Sequence, residues 1–291
     1  MAWRSIADLI GGEGEVAMIG APMEAGSVTP GRCDLAPEAV RRALRRFSTY
    51  DLETGLELEL RVRDLGDVPV RGLTPAEGFA PIRDACSAAT GAHRLTILFG
   101  GNNAVTRPAA HGLGVPLAEV GLITLDAHFD LRETDEGPLN GNPIRCLLED
   151  GLPGSNICQI GLAPFANTAK MHGDALAAGI GVFTIADCKA RGIAAILEDA
   201  LARLDRLPVL MVDSDIDVID RGQLPGAPGA RPGGMPADMF FAAARRLAAH
   251  PKVKLVDLTE LDPSLDVGDI SALTAGRWAC EILAGYSGRP R

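Results

Sequence analysis

Two short acidic runs carry the residue types that do chemistry. Asp126-Ala-His128-Phe-Asp130 follows the apolar run Val120–Leu125, and Asp213-Ser-Asp215-Ile-Asp217 closes a second apolar run, with Asp220 beyond. In an extended chain, residues at i, i+2 and i+4 point to the same side. That spacing predicts that Asp126, His128 and Asp130 converge, and that Asp215 and Asp217 do too. If the two runs are neighbours in space, the carboxylates of Asp126, Asp130, Asp215 and Asp217 and the His128 imidazole face one pocket. Such acids repel and raise each other's pKa unless cations compensate. Two divalent cations would do so, and oxygen-rich ligation with one nitrogen favours Mn²⁺ over zinc while leaving magnesium and iron open. Asp213 shares strand parity with Asp215 and is expected to orient a ligand rather than be one. Glu260, in LVDLTELDP, again follows a strand-like run. It would either hold a cationic amidine or guanidine group of a substrate or cap a loop.

The elements that must position these residues alternate. Strands are expected at Val16–Ala21, Leu95–Phe99, Val120–Leu125, Ile157–Gly161, Val182–Ile185, Pro208–Asp213 and Lys254–Leu258, with a short extended piece at Leu65–Val70. Helices are expected at Ala36–Phe47, Pro75–Thr90, Ala104–His111, Thr168–Ala178, Ala194–Leu204, Pro236–Ala249 and Ile270–Leu283. The strand segments are apolar without alternation, which suits a parallel sheet covered on both faces. Strand–helix alternation predicts an α/β, doubly wound fold, whose ligands bind at the carboxyl ends of strands. The Gly/Pro-rich stretch Gly222–Pro236 reads as a long active-site loop, so residues 1–291 are expected to form a single domain.

Composition narrows the function. The 291 residues carry a formal net charge of −10, which argues against a nucleic-acid partner. The six cysteines are scattered without a CxxC pair, so core thiols in a reducing compartment are expected rather than disulfides. No apolar run approaches the ~20 residues of a membrane span, and the N-terminal segment lacks the pattern of a secretory signal. A cytoplasmic protein with no membrane partner is expected.

The motifs together resemble the ureohydrolase family, which contains arginase, agmatinase and formimidoylglutamase. The resemblance covers nearly the whole chain. It runs through IGAPMEAGSVTPGRCDLAPEAVRRAL, DLGDV at Asp64–Val68, FGGNNAVT at Phe99–Thr106, DAHFDLR at Asp126–Arg132, DSDIDVID at Asp213–Asp220, APG at Ala227–Gly229 and TELDP at Thr259–Pro263. It implies a three-layer α/β/α sandwich around a roughly eight-stranded, mostly parallel sheet, a dinuclear Mn²⁺ site and a homo-oligomer. It implies that Asp126 and Asp215 bridge the metals, that His128 and Asp217 bind one and Asp130 the other, and that Glu260 holds the substrate's cationic group.

Two positions depart from the family pattern. Where a histidine ligand is usual, the motif here is GGNN, with Asn103 in its place. An amide oxygen is a poorer ligand, so the metal site involving Asn103 is expected to be weak. Where arginases carry a proton-shuttling histidine, this chain has Asn140, which cannot act as an acid or base near neutral pH.

DAHFDLR, the APG loop and the ANT segment look most like formimidoylglutamase. The leading expectation is therefore hydrolysis of N-formimidoyl-L-glutamate to L-glutamate and formamide, by attack of hydroxide held on the metals. Asp126 and Glu260 are the catalytic candidates. Arg132, Asn140 and Arg231 are substrate-binding candidates, with the arginines chosen because a guanidinium fork suits a carboxylate; Arg145 is a further candidate, and for both Arg145 and Arg231 a solvated surface charge is the better reading. Two other readings are a guanidino-compound hydrolase releasing urea, and a degenerate member with an impaired metal site.

Overall fold

The computed structural model describes residues 3–290. In chain order its elements are β1 (Val16–Ala21), α1 (Ala36–Ala43), β2 (Tyr50–Asp51), β3 (Leu56–Glu57), β4 (Val62–Asp67), α2 (Pro75–Ala92), β5 (Leu95–Gly100), α3 (Thr106–His111), β6 (Val120–Leu125), α4 (Pro143–Glu149), β7 (Ile157–Leu162), α5 (Ala169–Ala178), β8 (Gly181–Thr184), α6 (Ile185–Arg191), α7 (Ile193–Leu204), β9 (Val209–Asp215), α8 (Ala237–Ala249), β10 (Val253–Thr259) and α9 (Ile270–Ser287). Eight strands form one parallel sheet in the order β4-β1-β5-β10-β9-β6-β7-β8.

Each face of the sheet has its own apolar core, because successive strand residues point to opposite faces. Val16 and Met18 of β1 pack in a core with Val40 of α1, Leu197 of α7, Phe240 of α8 and Trp278 of α9. Ala17 and Ile19 pack in the other core with Ile82 of α2, Ala109 of α3 and Leu147 of α4. This is the expected α/β/α sandwich. Both faces being covered explains why β1, β5, β6 and β7 are buried at every position. Local chemistry sets several boundaries. Thr74 and Glu77 form a reciprocal capping box at the start of α2, with Pro75 in its first turn. Gly179, at φ 79, takes the left-handed conformation that ends α5.

Some expectations shift. The extended piece placed at Leu65–Val70 begins earlier, at Val62, because Val62 pairs with Val16 of β1. The helix expected over Ala36–Phe47 is α-helical only to Ala43 and tightens into a 3-10 turn at Leu44–Arg46. The hairpin β2–β3 and helices α4 and α6 were not anticipated. All six cysteines are free, and five are buried. Among the described residues no helix is long and apolar enough to cross a membrane.

Candidate metal centre

β6 and β9 are neighbours, and β10 lies on the other side of β9. Their register puts Leu125 opposite Ser214 and Thr259 opposite Asp215. The DAHFD, DSDID and TELDP segments therefore leave the sheet side by side at its carboxyl edge.

The acids converge, but not by strand alternation. β6 stops at Leu125, and Asp126–Asp130 is a looped segment. Asp126 Oδ1 accepts the His128 N–H at 2.7 Å, and Asp215 Oδ1 accepts the Asp217 N–H at 2.9 Å. Each turn folds its second acid or imidazole back beside the first. Asp130 and Glu260 both take left-handed backbone, at φ 52 and 63. Such strain costs roughly 1–3 kcal/mol and persists where the surroundings over-determine it. His128 Nδ1 lies 3.1 Å from Asp217 Oδ2 and 3.5 Å from Asp126 Oδ1. One donor atom from each of Asp126, His128 and Asp217 lies within 4.8 Å of the others. Asp130, Asp215, Asp217 and Glu260 line the same cavity of about 100 Å³, whose wall also includes His128, Asn140, Arg132 and Arg231.

Two observations show that the residues suit cations. Asp126 Oδ2 and Asp217 Oδ1 are buried with no hydrogen-bond partner among the described residues, a costly state for a carboxylate oxygen unless something else meets it. The backbone also closes over the cluster at Gly229, in the APG loop. A Cβ there would come within 1.9 Å of Asp217 Oδ2 and 3.2 Å of His128 Cε1.

Asn103 is placed differently from a ligand. Its side-chain nitrogen donates to Asp130 Oδ2 at 2.6 Å, and its oxygen accepts from Thr106 Oγ1 at 2.7 Å and Thr259 Oγ1 at 3.1 Å. Both ends of the amide are used, so Asn103 braces Asp130 from behind and its oxygen is turned away from the cavity. Its backbone N–H also donates to Glu260 Oε1 at 2.7 Å. Asn140 donates from Nδ2 to the same oxygen at 2.9 Å and accepts the Val28 N–H at 2.8 Å. It thus joins Glu260 to the glycine-rich loop. Arg145 lies outside the cavity, bonded to Asp174 and to the Leu131 carbonyl. Arg132 and Arg231 are exposed on the cavity wall and make no ion pair among the described residues; Arg231 Nη1 donates to the Gly229 carbonyl at 2.6 Å. Sequence reasoning missed Asn167, whose side chain grips the 126–130 loop, and Gln159, which donates to the Phe129 carbonyl at 3.1 Å. A lone amide, in a loop for Asn167 and within β7 for Gln159, carries no spacing that would mark its hydrogen-bond partners.

Burial dominates the electrostatics. It pushes Asp130 and Asp215 well above the usual carboxylate range and Asp126 up to about 6. The Asp217 carboxylate raises His128 to about 12; burial would raise Asp217 too, but the adjoining imidazolium holds it low. Behind them burial lifts Asp257, paired across β9–β10 with Asp213, to about 7. Apart from Asp217, whose lowered carboxyl acts only below about pH 4, these shifts are upward. In the metal-free fold the groups bind more protons than the unfolded chain does. The raised carboxyls therefore stabilise the fold at pH near 4 and lose that effect as pH rises through 7, and His128 adds a further loss above 6.5. We expect the melting temperature of chelator-treated protein to fall between pH 5 and 8. We expect manganese uptake at pH 7 to release protons, seen as a binding heat that changes with the ionisation enthalpy of the buffer. A buffer-independent heat and a pH-independent melt would show that the cluster is already deprotonated.

Against this geometry the comparisons with known proteins agree. A model of the arginase family matches residues 14–285. A formimidoylglutamase of Halalkalibacterium halodurans is 33% identical over 274 residues, covering 92% of this chain and 86% of that relative. The crystal structure of formimidoylglutamase from Bacillus subtilis superposes with a TM-score of 0.91 at 26% identity, covering 99% of this chain and 94% of that one. A Trypanosoma cruzi formiminoglutamase solved with Mn²⁺ shares the fold, with a TM-score of 0.91 at 21% identity over 99% and 100% of the two chains. Acid-tipped neighbouring strands, the APG loop closed over them and this family match over most of the sequence have one explanation: the chain belongs to the arginase family.

Proposed function

We propose that the protein hydrolyses a linear amidine, N-formimidoyl-L-glutamate, to L-glutamate and formamide, with two Mn²⁺ ions per subunit. The observation that carries this reading is the polarity of the cavity. Its depth is acidic, with Asp215, Asp217 and Glu260 almost fully buried, while Arg132 and Arg231 are exposed on its wall. A substrate with an amidinium at one end and carboxylates at the other matches that gradient. A compound cationic at both ends, such as agmatine, would bring its second charge toward two guanidinium groups.

The residues divide the work. Asp126 and Asp215 would hold both ions, His128 and Asp217 one of them, and Asp130 the other. Bound cations would supply Lewis acidity, making a nucleophile from water near neutral pH and stabilising the charge that develops at the amidine carbon. Glu260 would receive the amidinium. Its Oε1 is fixed by Asn103 and Asn140, which leaves Oε2 for the substrate. Asn140 orients this acid and moves no proton. Arg132 and Arg231 would hold the glutamate carboxylates. A homo-oligomer and a cytoplasmic location belong to the same proposal.

Manganese-loaded protein should release formamide from N-formimidoyl-L-glutamate and little urea from a panel of guanidino compounds. Urea as the main product would replace this substrate with a guanidine. Arg132→Ala should raise KM for the dicarboxylate about tenfold, the worth of one hydrogen bond to a charged group, and change kcat little. An unchanged KM would place the carboxylates elsewhere.

A further inference from the structure

We infer that Asn167 is a positioning residue that clamps the metal-ligand loop around His128. Its side chain makes two hydrogen bonds to the backbone on either side of that histidine. Oδ1 accepts the Phe129 N–H at 2.8 Å, and Nδ2 donates to the Ala127 carbonyl at 2.9 Å. Together they stand in for the strand partner that the loop lost when β6 ended. Backbone pairing runs past β6 only as far as Ala127: the Asp126 N–H donates to the Ile160 carbonyl at 3.0 Å and the Ala163 N–H to the Ala127 carbonyl at 3.0 Å. From there the chain following β7 turns away through Pro164 and Phe165; the Asn167 side chain reaches back to the loop backbone, and the His172 ring stacks on Phe129. That turn is strained: Phe165 sits at φ 61 with its ring fully exposed. A left-handed backbone at a non-glycine residue persists where its surroundings over-determine it, and Asn167 lies two residues beyond.

The clamp has a clear purpose. His128 must present Nδ1 toward Asp126 and Asp217, at 3.5 and 3.1 Å. The Ala127 and Phe129 peptides set where its Cα points. Asn167 fixes both peptides, and Gln159, fully buried on β7, fixes the far side of Phe129. Asn167 also lines the cavity, so it couples the loop to the site without offering an atom to the metal.

This inference rests on the proposed metal site, and manganese affinity tests the two separately. Wild type, Asn167→Ala and Asn167→Asp are stripped with chelator, their melts compared, and manganese binding followed by calorimetry and by the paramagnetic resonance of bound Mn²⁺. Asn167→Ala should bind manganese about 10–100-fold more weakly, as loss of a partner that orients a ligand does, while its metal-free melt stays close to wild type. Asn167→Asp is nearly the same size and keeps the bond to Phe129, but sets an acceptor against the Ala127 carbonyl. Its added negative charge alone would tighten cation binding; loss of the clamp should instead weaken it at least about threefold. If Asn167→Ala does not fold, the aspartate variant decides by this sign. Affinity in Asn167→Ala within twofold of wild type, or equal or tighter binding in Asn167→Asp, overturns the clamp. Wild-type protein that takes up no manganese overturns the metal site and the clamp with it.

Discussion

Asp126→Asn and Asp215→Asn will each lower manganese-dependent activity by more than about 100-fold, beyond what loss of an orienting partner costs. Both acids lie at the junction of β6, β9 and β10, and both are almost fully buried. The substitutions change charge and little else. An amide oxygen can keep the bond that Asp126 Oδ1 accepts from His128, or that Asp215 Oδ1 accepts from Asp217. The remaining carboxylate oxygen is lost as a cation ligand. The stability readout should move the opposite way. In the metal-free fold Asp126 carries a buried oxygen without a partner, and replacing it removes part of that desolvation cost. The metal-free melt of Asp126→Asn should therefore match or exceed that of wild type. Wild type should gain about 4 kcal/mol from manganese at roughly 1,000 times its Kd, and the variant far less. Wild-type activity in both variants would remove the metal centre from the mechanism.

The sequence carried more of the candidate ligand set than of its geometry. Asp126, His128, Asp130, Asp215 and Asp217 were legible because two apolar strands end in them, and strand ends in a parallel sheet are where ligands bind. That the two strands are adjacent was a condition sequence alone could not meet, since β6 and β9 lie far apart in the chain. The reason for convergence was misread. Period-two alternation needs an extended chain, but the chain leaves β6 after Leu125 and β9 after Asp215, into turns closed by the carboxylates of Asp126 and Asp215. Asn103 shows a second limit. Its place in the motif suggested a weak ligand, but the direction of an amide depends on which hydroxyls surround it. Thr106 and Thr259 take the oxygen, and Thr259 comes from a strand that pairs only in the folded sheet. Asn167 was noticed only as part of the ANT segment, and its role was hidden for the same reason: its partners lie 38 and 40 residues away. The short helix α4 starts at Asn142-Pro143, residue types that suit a helix start, but the Asn142 side chain caps nothing and instead accepts the Leu139 N–H.

Glu260→Gln separates substrate recognition from metal binding. Glutamine can keep the two hydrogen bonds that Oε1 receives from Asn103 and Asn140, so the left-handed turn and the glycine-rich loop should stay in place. What disappears is the negative charge meant for an amidinium. Truncating one partner of a buried, hydrogen-bonded charge pair costs about 2–5 kcal/mol. The lower figure already lowers kcat/KM about 30-fold. Manganese affinity should change much less, since Glu260 holds no ion in this arrangement. The pH dependence gives a second readout. Burial pushes Glu260 up to about 7, partly offset by the donors Asn140 and Asn103, and only the ionised form attracts a cation. As pH falls through that range the wild-type enzyme should lose kcat/KM, which reports groups of the free enzyme. Nearby bound cations favour the carboxylate and would move this limb lower. Glutamine has no proton to gain, so the limb due to residue 260 should vanish. A variant within threefold of wild type, with the same acid limb, would mean that the amidinium is held by another group.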